Sequence, residues 1–188
     1  MFYLFIFEMP INQNTLSEAL QQKFSTTFAQ EDDTASNSKN GNAAQVSDLP
    51  TLILNRENLI EVLRYLKTHP EFQFNFLTDI CGVHYPDNKP DKEFAVVYHL
   101  HSWPNNFRLR IKVYCSRKDT RVPSAVPVFP AANWMERETY DFFGIQFTDH
   151  PNLKRILNID EMDFFPLRKE YPLEEQTRTD KNDKMFGR

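Results

Sequence analysis

The chain has 188 residues, 40% of them hydrophobic and 14% aromatic, which supplies one real core and leaves too little length for two large domains. A formal net charge of −4 and a pI of about 5.7 exclude a chain built to coat nucleic acid or anionic lipid. The two cysteines, Cys81 and Cys115, stand far apart with no C-x-x-C pair, so no zinc or iron–sulfur site is expected on this chain and both read as reduced core or strand residues.

The opening MFYLFIFEMP is apolar but lacks a basic flank, contains Glu8 and breaks at Pro10, so it is too short to span a bilayer and poorly formed as a signal peptide. The expectation is a soluble, cytosol-facing protein, with Met9 as an alternative start or the first residues as a local hydrophobic peg. Asn14 or Thr15 can cap a helix running to Phe24, with Leu16, Ala19, Leu20 and Phe24 on the side that docks. Residues 29–48, AQEDDTASNSKNGNAAQVSD, hold scarcely any apolar side chain to offset ordering entropy and read as a linker or long surface loop.

Residues 51–54 read as a strand, after which Asn55 caps a helix whose apolar stripe is Leu59, Val62, Leu63 and Leu66, ended by His69-Pro70. A second strand is expected over 72–80, where Phe72, Phe74 and Phe76 alternate. Residues 94–103 and 107–115 form a hairpin across Pro104-Asn105-Asn106. In its second arm Leu109, Ile111, Val113 and Cys115 share one face, while Arg108, Arg110, Lys112 and Tyr114 share the other. A further helix over 131–143 has Asn133 as its candidate cap and Gly144 as its stop. The fold class expected is α+β, a mainly antiparallel sheet with helices packed on one side, followed by an extended C-terminal arm. Four regions follow: an N-terminal helical extension (1–28), the polar linker or loop (29–48), the folded domain (49–144) and a partner-binding arm (145–188).

Glu136, Glu138 and Asp141 lie within six residues and could raise one another's pKa for acid–base work. Arg137 precedes Asp141 by four residues and can pair with it, so a charged helix face is the plainer reading. His99 and His101 alternate on one strand face and offer two metal ligands without a local third; His84 and His150 could join them only through the fold. The basic residues Arg108, Arg110, Lys112, Lys154, Arg155, Arg168 and Lys169 have no nucleic-acid motif around them, which favours a solvated face or ion pairs to an acidic partner. No Gly-rich phosphate loop, nucleophile elbow or flavin fingerprint occurs in the sequence. The arm carries Phe164, Phe165, Pro166, Leu167, Tyr171, Pro172 and Leu173, too apolar for a free tail, and its prolines lower the entropy lost on docking.

Along Glu136-Arg137-Glu138, Asp141, Phe143-Gly144-Ile145, Phe147, His150-Pro151, Leu153, Arg155-Ile156-Leu157, Pro166-Leu167-Arg168-Lys169 and Tyr171-Pro172, the sequence resembles the C subunit of proton-pumping NADH:quinone oxidoreductase. That is the thirty-kilodalton subunit family of respiratory complex I. Upstream, Phe76-Leu77-Thr78-Asp79, Gly82-Val83, Val97-Tyr98-His99-Leu100 and Pro130-Ala131-Ala132-Asn133-Trp134 resemble the family's folded domain, so the likeness covers residues 49–175. Two departures stand out. The family usually carries a tryptophan and a glycine shortly before the Pro-Leu-Arg-Lys run; this chain has Asp163-Phe164-Phe165 there, and phenylalanine does not take a positive φ as cheaply as glycine. Glu170 stands where aspartate is common.

The resemblance implies a non-catalytic structural subunit of the peripheral arm, in the quinone-reducing module of a translocase that passes electrons from NADH to quinone and moves protons. It implies no catalytic residue, cofactor or metal on this chain; iron–sulfur clusters, FMN and quinone would sit on partner subunits. The implied partners are the D subunit (forty-nine-kilodalton family), B and I, at the cytoplasmic face of the bacterial inner membrane, with membrane association only through the complex. The implied interface residues are Glu136, Arg137, Glu138, Asp141, Gly144, His150, Pro151, Arg155, Pro166, Leu167, Arg168, Lys169, Tyr171 and Pro172. The equivalent subunit of a related membrane-bound hydrogenase, or of a quinone reductase with another electron donor, is the alternative, because the signature serves the shared module.

Overall fold

The computed structural model describes residues 13–24, 27–28 and 49–171; the opening decapeptide, the 29–48 segment, Pro172 and the polar C-terminal end lie outside these described residues. A five-stranded sheet is built from β1 (Thr27–Phe28), β2 (Thr51–Leu54), β3 (Phe76–His84), β4 (Phe94–Ser102) and β5 (Phe107–Cys115), in the order β1-β2-β5-β4-β3. All neighbouring pairs are antiparallel except β2 with β5, which is parallel. Three helices, α1 (Gln13–Phe24), α2 (Leu59–Thr68) and α3 (Ala132–Phe143), complete the α+β fold.

The expected hairpin is the centre of the sheet. Val96 faces Val113, Tyr98 faces Ile111 and Leu100 faces Leu109, so the apolar residues of both strands fall on one face. Against that face α2 lays Leu59, Val62, Leu63 and Leu66, all fully buried, each worth about 1.5–3 kcal/mol of transfer free energy. Leu16 and Leu20 of α1 enter the same core, and the Phe24 ring meets Tyr65 edge-on at 5.5 Å, so the surface on which the first helix docks is this domain's own.

Several local expectations are corrected. Asn55 makes no side-chain cap; a single 3₁₀ turn, Arg56–Asn58, leads into α2 instead. The strand expected at 72–80 begins only at Phe76 and runs on to His84. Phe72 and Phe74 both enter the core from a turn in which Gln73 has φ +45, while Phe76 is 43% exposed. The left-handed residue between them turns the two rings to one side, an outcome strict alternation could not give. Asn133 does not cap α3; Ala131 holds the cap position in helical geometry, without a side-chain bond. Gly144 does stop the helix, at φ 73 and ψ 26, its N–H donating to the Tyr140 carbonyl at 2.8 Å.

A second, two-stranded parallel sheet of β6 (Arg121–Pro123) and β7 (Gln146–Thr148) flanks α3. With three residues in each strand, no periodicity could announce it. It carries the chain from the end of α3 into the arm.

Candidate functional site

The signature residues converge around α3 because the helix buries Ala132, Glu136, Thr139 and Asp141, a face that contains two acids. Each acid has work that explains its burial. Glu136 accepts the Ser124 hydroxyl at 2.7 Å and the Ala125 backbone N–H at 2.6 Å, fastening the loop after β6 to the helix. Burial pushes its pKa up to about 7, against the lowering effect of those two bonds. His150 packs beside it, Nε2 at 4.0 Å from the carboxylate, while donating from the same nitrogen to the Asn133 carbonyl at 3.1 Å.

Asp141 organises the arm. Burial raises its pKa, but the backbone N–H groups of Asn158 and Leu157 and the Arg155 guanidinium outweigh that cost and hold it well below the usual carboxylate range. The N–H groups of Ile156, Leu157 and Asn158 all point at Oδ2, at 3.1, 2.8 and 2.9 Å. Oδ1 takes Arg155 at 2.7 Å and the Asn158 amide at 3.0 Å. Arg155 also donates to the carbonyls of Asp141, Met162 and Phe164 and lies over the Phe165 ring. The expected Arg137–Asp141 pair is therefore not the one formed. Arg137 donates to the carbonyls of Lys154 and Arg155, both at 3.1 Å, because Asp141 faces inward and its oxygens are occupied.

The second half of the arm returns to the far end of α3. Leu167 N–H reaches the Phe142 carbonyl, and Arg168 Nε donates to the Phe143 carbonyl at 2.7 Å. The Arg168 guanidinium lies between two rings, 5.0 Å from Phe94 and 4.6 Å from Phe165. Gly144 makes this approach possible, since a Cβ there would stand 2.5 Å from the Phe165 ring and 2.6 Å from Arg168. Phe165 needs no positive φ, so the Asp163-Phe164-Phe165 departure is met by ring packing, Phe165 lying 6.1 Å from Tyr140. The last described turn is fixed by Lys169 N–H on His84 Nδ1, Tyr171 N–H on the Arg168 carbonyl and an Arg117–Glu170 ion pair.

Of the remaining signature positions, Glu138 and Pro151 are exposed, Pro166 is half-buried, and Pro172 lies outside the described residues. The arm's outward side carries Leu157 and Ile159, each 66% exposed, with Phe164 and Leu167. His84, Glu93 and Arg117 belong to the same constellation but escaped sequence reasoning. His84 and Lys169 are 85 residues apart, and only tertiary structure joins them. The histidines weighed as metal ligands have other neighbours: His99 accepts from Arg110 at 3.1 Å, and His84 and His150 occupy separate ends of α3's surroundings. Among the described residues, no three His, Cys, Asp or Glu side chains gather as metal ligands do, and no helix is long and apolar enough to cross a membrane.

An α+β domain whose buried acids and guanidiniums fasten a long irregular segment to its own last helix defines a scaffold, built to present a shaped surface. The chain belongs to the family described as respiratory-chain NADH dehydrogenase, 30 Kd subunit, whose model matches residues 52–177. It is 49% identical over 123 residues to the C subunit of an NADH-quinone oxidoreductase from Methylorubrum populi, covering 65% of this chain and 55% of that one. It is 50% identical over 119 residues to a second-copy C subunit of the same enzyme from Rhizobium etli, covering 62% and 61%. A C subunit from Citrifermentans bemidjiense is 45% identical over 124 residues, covering 66% and 74%. The matched region thus spans little more than half the length of the first of these relatives. Among solved structures, the trypsin-resistant fragment of Nqo5 is similar at TM-score 0.56 and 33% identity, covering 74% of this chain and 97% of that one. A chain of the membrane-bound sulfane sulfur reductase, an archaeal respiratory membrane complex, shares the fold at TM-score 0.65 and 19% identity, covering 85% of each.

Proposed function

We propose that this chain is a non-catalytic structural subunit of the peripheral arm of a proton-translocating NADH:quinone oxidoreductase, holding neighbouring subunits of the quinone-reducing module in register. The observation that carries this reading is the arm itself. Residues 145–171 are pinned along their inner side by Asp141, Arg137, Arg155 and Arg168, yet turn Leu157, Ile159, Phe164 and Leu167 outward. Pinned backbone with exposed apolar side chains is a preorganised binding ridge, whose ordering entropy is met before a partner arrives.

The partners are the D subunit, followed by B and I, and the iron–sulfur clusters, FMN and quinone reside on subunits other than this one. The complex sits at the cytoplasmic face of the bacterial inner membrane, and this chain reaches the membrane only through it. In this assignment the signature residues divide in function: Glu136, Arg137, Asp141, Gly144, His150, Arg155 and Arg168 shape the arm, while the outward residues meet the partner.

The test is purification of the tagged chain from its native membranes in mild detergent, with mass spectrometry of its companions and an assay of inhibitor-sensitive NADH:quinone activity. Recovery of a large iron–sulfur complex with that activity is the expected result. The same complex without NADH oxidation would assign the chain to a related machine with another electron donor, and recovery of the chain alone would overturn the proposal.

A further inference from the structure

The end of the described arm is held to the sheet by an imidazole that can serve it in one protonation state only. His84 closes β3 with its side chain 1% exposed and its ring stacked on Phe94, centroids 4.5 Å apart and planes within 11°. Nδ1 lies 2.9 Å from the backbone nitrogen of Lys169. A backbone N–H can only donate, so Nδ1 carries a lone pair and the ring proton belongs on Nε2, which donates to Glu93 Oε1 at 3.2 Å.

The charges around the ring come from three directions. Glu93, just ahead of β4, also accepts from Arg117 Nε at 2.8 Å. Arg117, beyond β5, crosses to Glu170 Oε2 at 2.5 Å, and Arg168 Nη1 stands 3.9 Å from the other oxygen of Glu170. The arm adds Lys169, an exposed residue, and the phenol of Tyr171; β4 presents the uncharged Phe94 ring. Glu93 is held below its ordinary pKa, chiefly by its bond from Arg117, and Glu170 likewise by Arg117. Two carboxylates and two guanidiniums therefore balance about His84, which leaves burial and the need for an acceptor to decide its state.

We propose that His84 is a proton-operated clasp: neutral, it holds the turn of residues 168–171 on the end of β3, and protonated at Nδ1 it faces Lys169 N–H with a second donor and releases the turn. The proton enters from solvent at Nδ1, no other bond is made or broken, and Glu93 keeps the imidazolium in place through Nε2. The Arg168 bond to the Phe143 carbonyl survives, so release frees the arm's tip while its middle stays anchored. Histidine is the side chain whose charge ordinarily changes between about pH 5 and 8, so the clasp operates within the range a cell can reach. This inference concerns the chain's own conformation and stands whether or not the proposed assembly is correct.

The test is amide hydrogen exchange by NMR on the full chain, with each rate referred to the intrinsic rate at the same pH. Between about pH 7.5 and about pH 5.5 the protection of the Lys169 amide should fall about tenfold or more, as expected for one lost hydrogen bond. The amides of Val96 and Val113, in the central hairpin, should keep theirs. His84→Asn places a non-titrating oxygen near the position of Nδ1, and should hold Lys169 protected at both values. An unchanged Lys169 amide in the natural protein, an equal fall across the hairpin, or the same fall in His84→Asn would each overturn the clasp. Should His84→Asn fail to fold, the ring ¹⁵N spectrum of the natural protein decides. A shared midpoint for Nδ1 protonation and loss of Lys169 protection supports the inference, and separate midpoints refute it.

Discussion

Asp141 and Arg155, fourteen residues apart, meet in a 2.7 Å ion pair between side chains that are 0% and 7% exposed. The pair is one bond in a set, because the same carboxylate collects three consecutive backbone N–H groups and the same guanidinium collects three carbonyls. Every polar atom of the pair is thereby satisfied, the condition under which a buried ion pair is tolerated.

Asp141→Asn should consequently cost about 3–5 kcal/mol, since it leaves the Arg155 charge buried without a counterion and presents an NH₂ group to donors. Urea unfolding measures it. The depressed pKa sets the sign with pH: the native carboxylate contributes its stability above the ordinary value of 3.8 and loses it as pH falls below. The penalty of the variant should therefore shrink in acid; a penalty that stays constant there would contradict this account of Asp141.

Glu136 predicts the opposite trend. A carboxyl raised from 4.5 to about 7 by burial contributes its stability below the ordinary value, and that contribution is lost as pH rises through about 7. Glu136→Gln keeps a carbonyl for the Ala125 N–H and an NH₂ for the Ser124 oxygen without the charge. Relative to the natural protein, this variant should gain stability between pH 5 and pH 8, by up to about 3 kcal/mol at roughly 1.4 kcal/mol per pKa unit. Thermal melts at the two pH values check it, and a difference independent of pH would show that burial does not govern this group.

Gly144 and Gly82 test the seat of the arm separately. Gly144→Ala meets a left-handed backbone and the Phe165 and Arg168 side chains, so it should cost about 1–3 kcal/mol and expose the arm to protease. Gly82→Ala places a Cβ 2.5 Å from the Phe143 ring and should loosen α3 from β3 instead. Limited proteolysis separates them: rapid cleavage within 160–171 is expected of the Gly144 variant, and an uncut arm there would count against its packing on this glycine.

The central hairpin, the α2 stripe and the Gly144 stop were legible because each depends on local periodicity or on one residue's conformational freedom. The signature of the arm was legible as a pattern, and its aromatic content correctly argued against a free tail. The fastenings were not legible. Arg137 at a helical spacing from Asp141 made the obvious pair, and only burial of Asp141 and the backbone N–H groups arriving from 156–158 give that carboxylate to Arg155. Phe72 and Phe74 misled for a similar reason: alternation marks a strand only while φ stays negative, and Gln73 breaks that condition.

The arm's two sides make separable predictions about assembly. Arg168→Glu would place a carboxylate between the Phe94 and Phe165 rings and remove the bond to the Phe143 carbonyl. It should therefore unfasten the arm in the isolated chain, and any loss of complex in membranes would follow from that. Leu157 and Ile159 are different, because both are 66% exposed. Leu157→Glu combined with Ile159→Glu should change the stability of the isolated chain by no more than about 0.5 kcal/mol, as surface substitutions do. If the outward ridge meets a partner, the same pair should sharply lower the amount of intact complex on a native gel, because it sets two charges into an apolar contact. Normal assembly of that double variant beside failed assembly of Arg168→Glu would mean that the arm supports the complex through its shape and that the partner docks elsewhere.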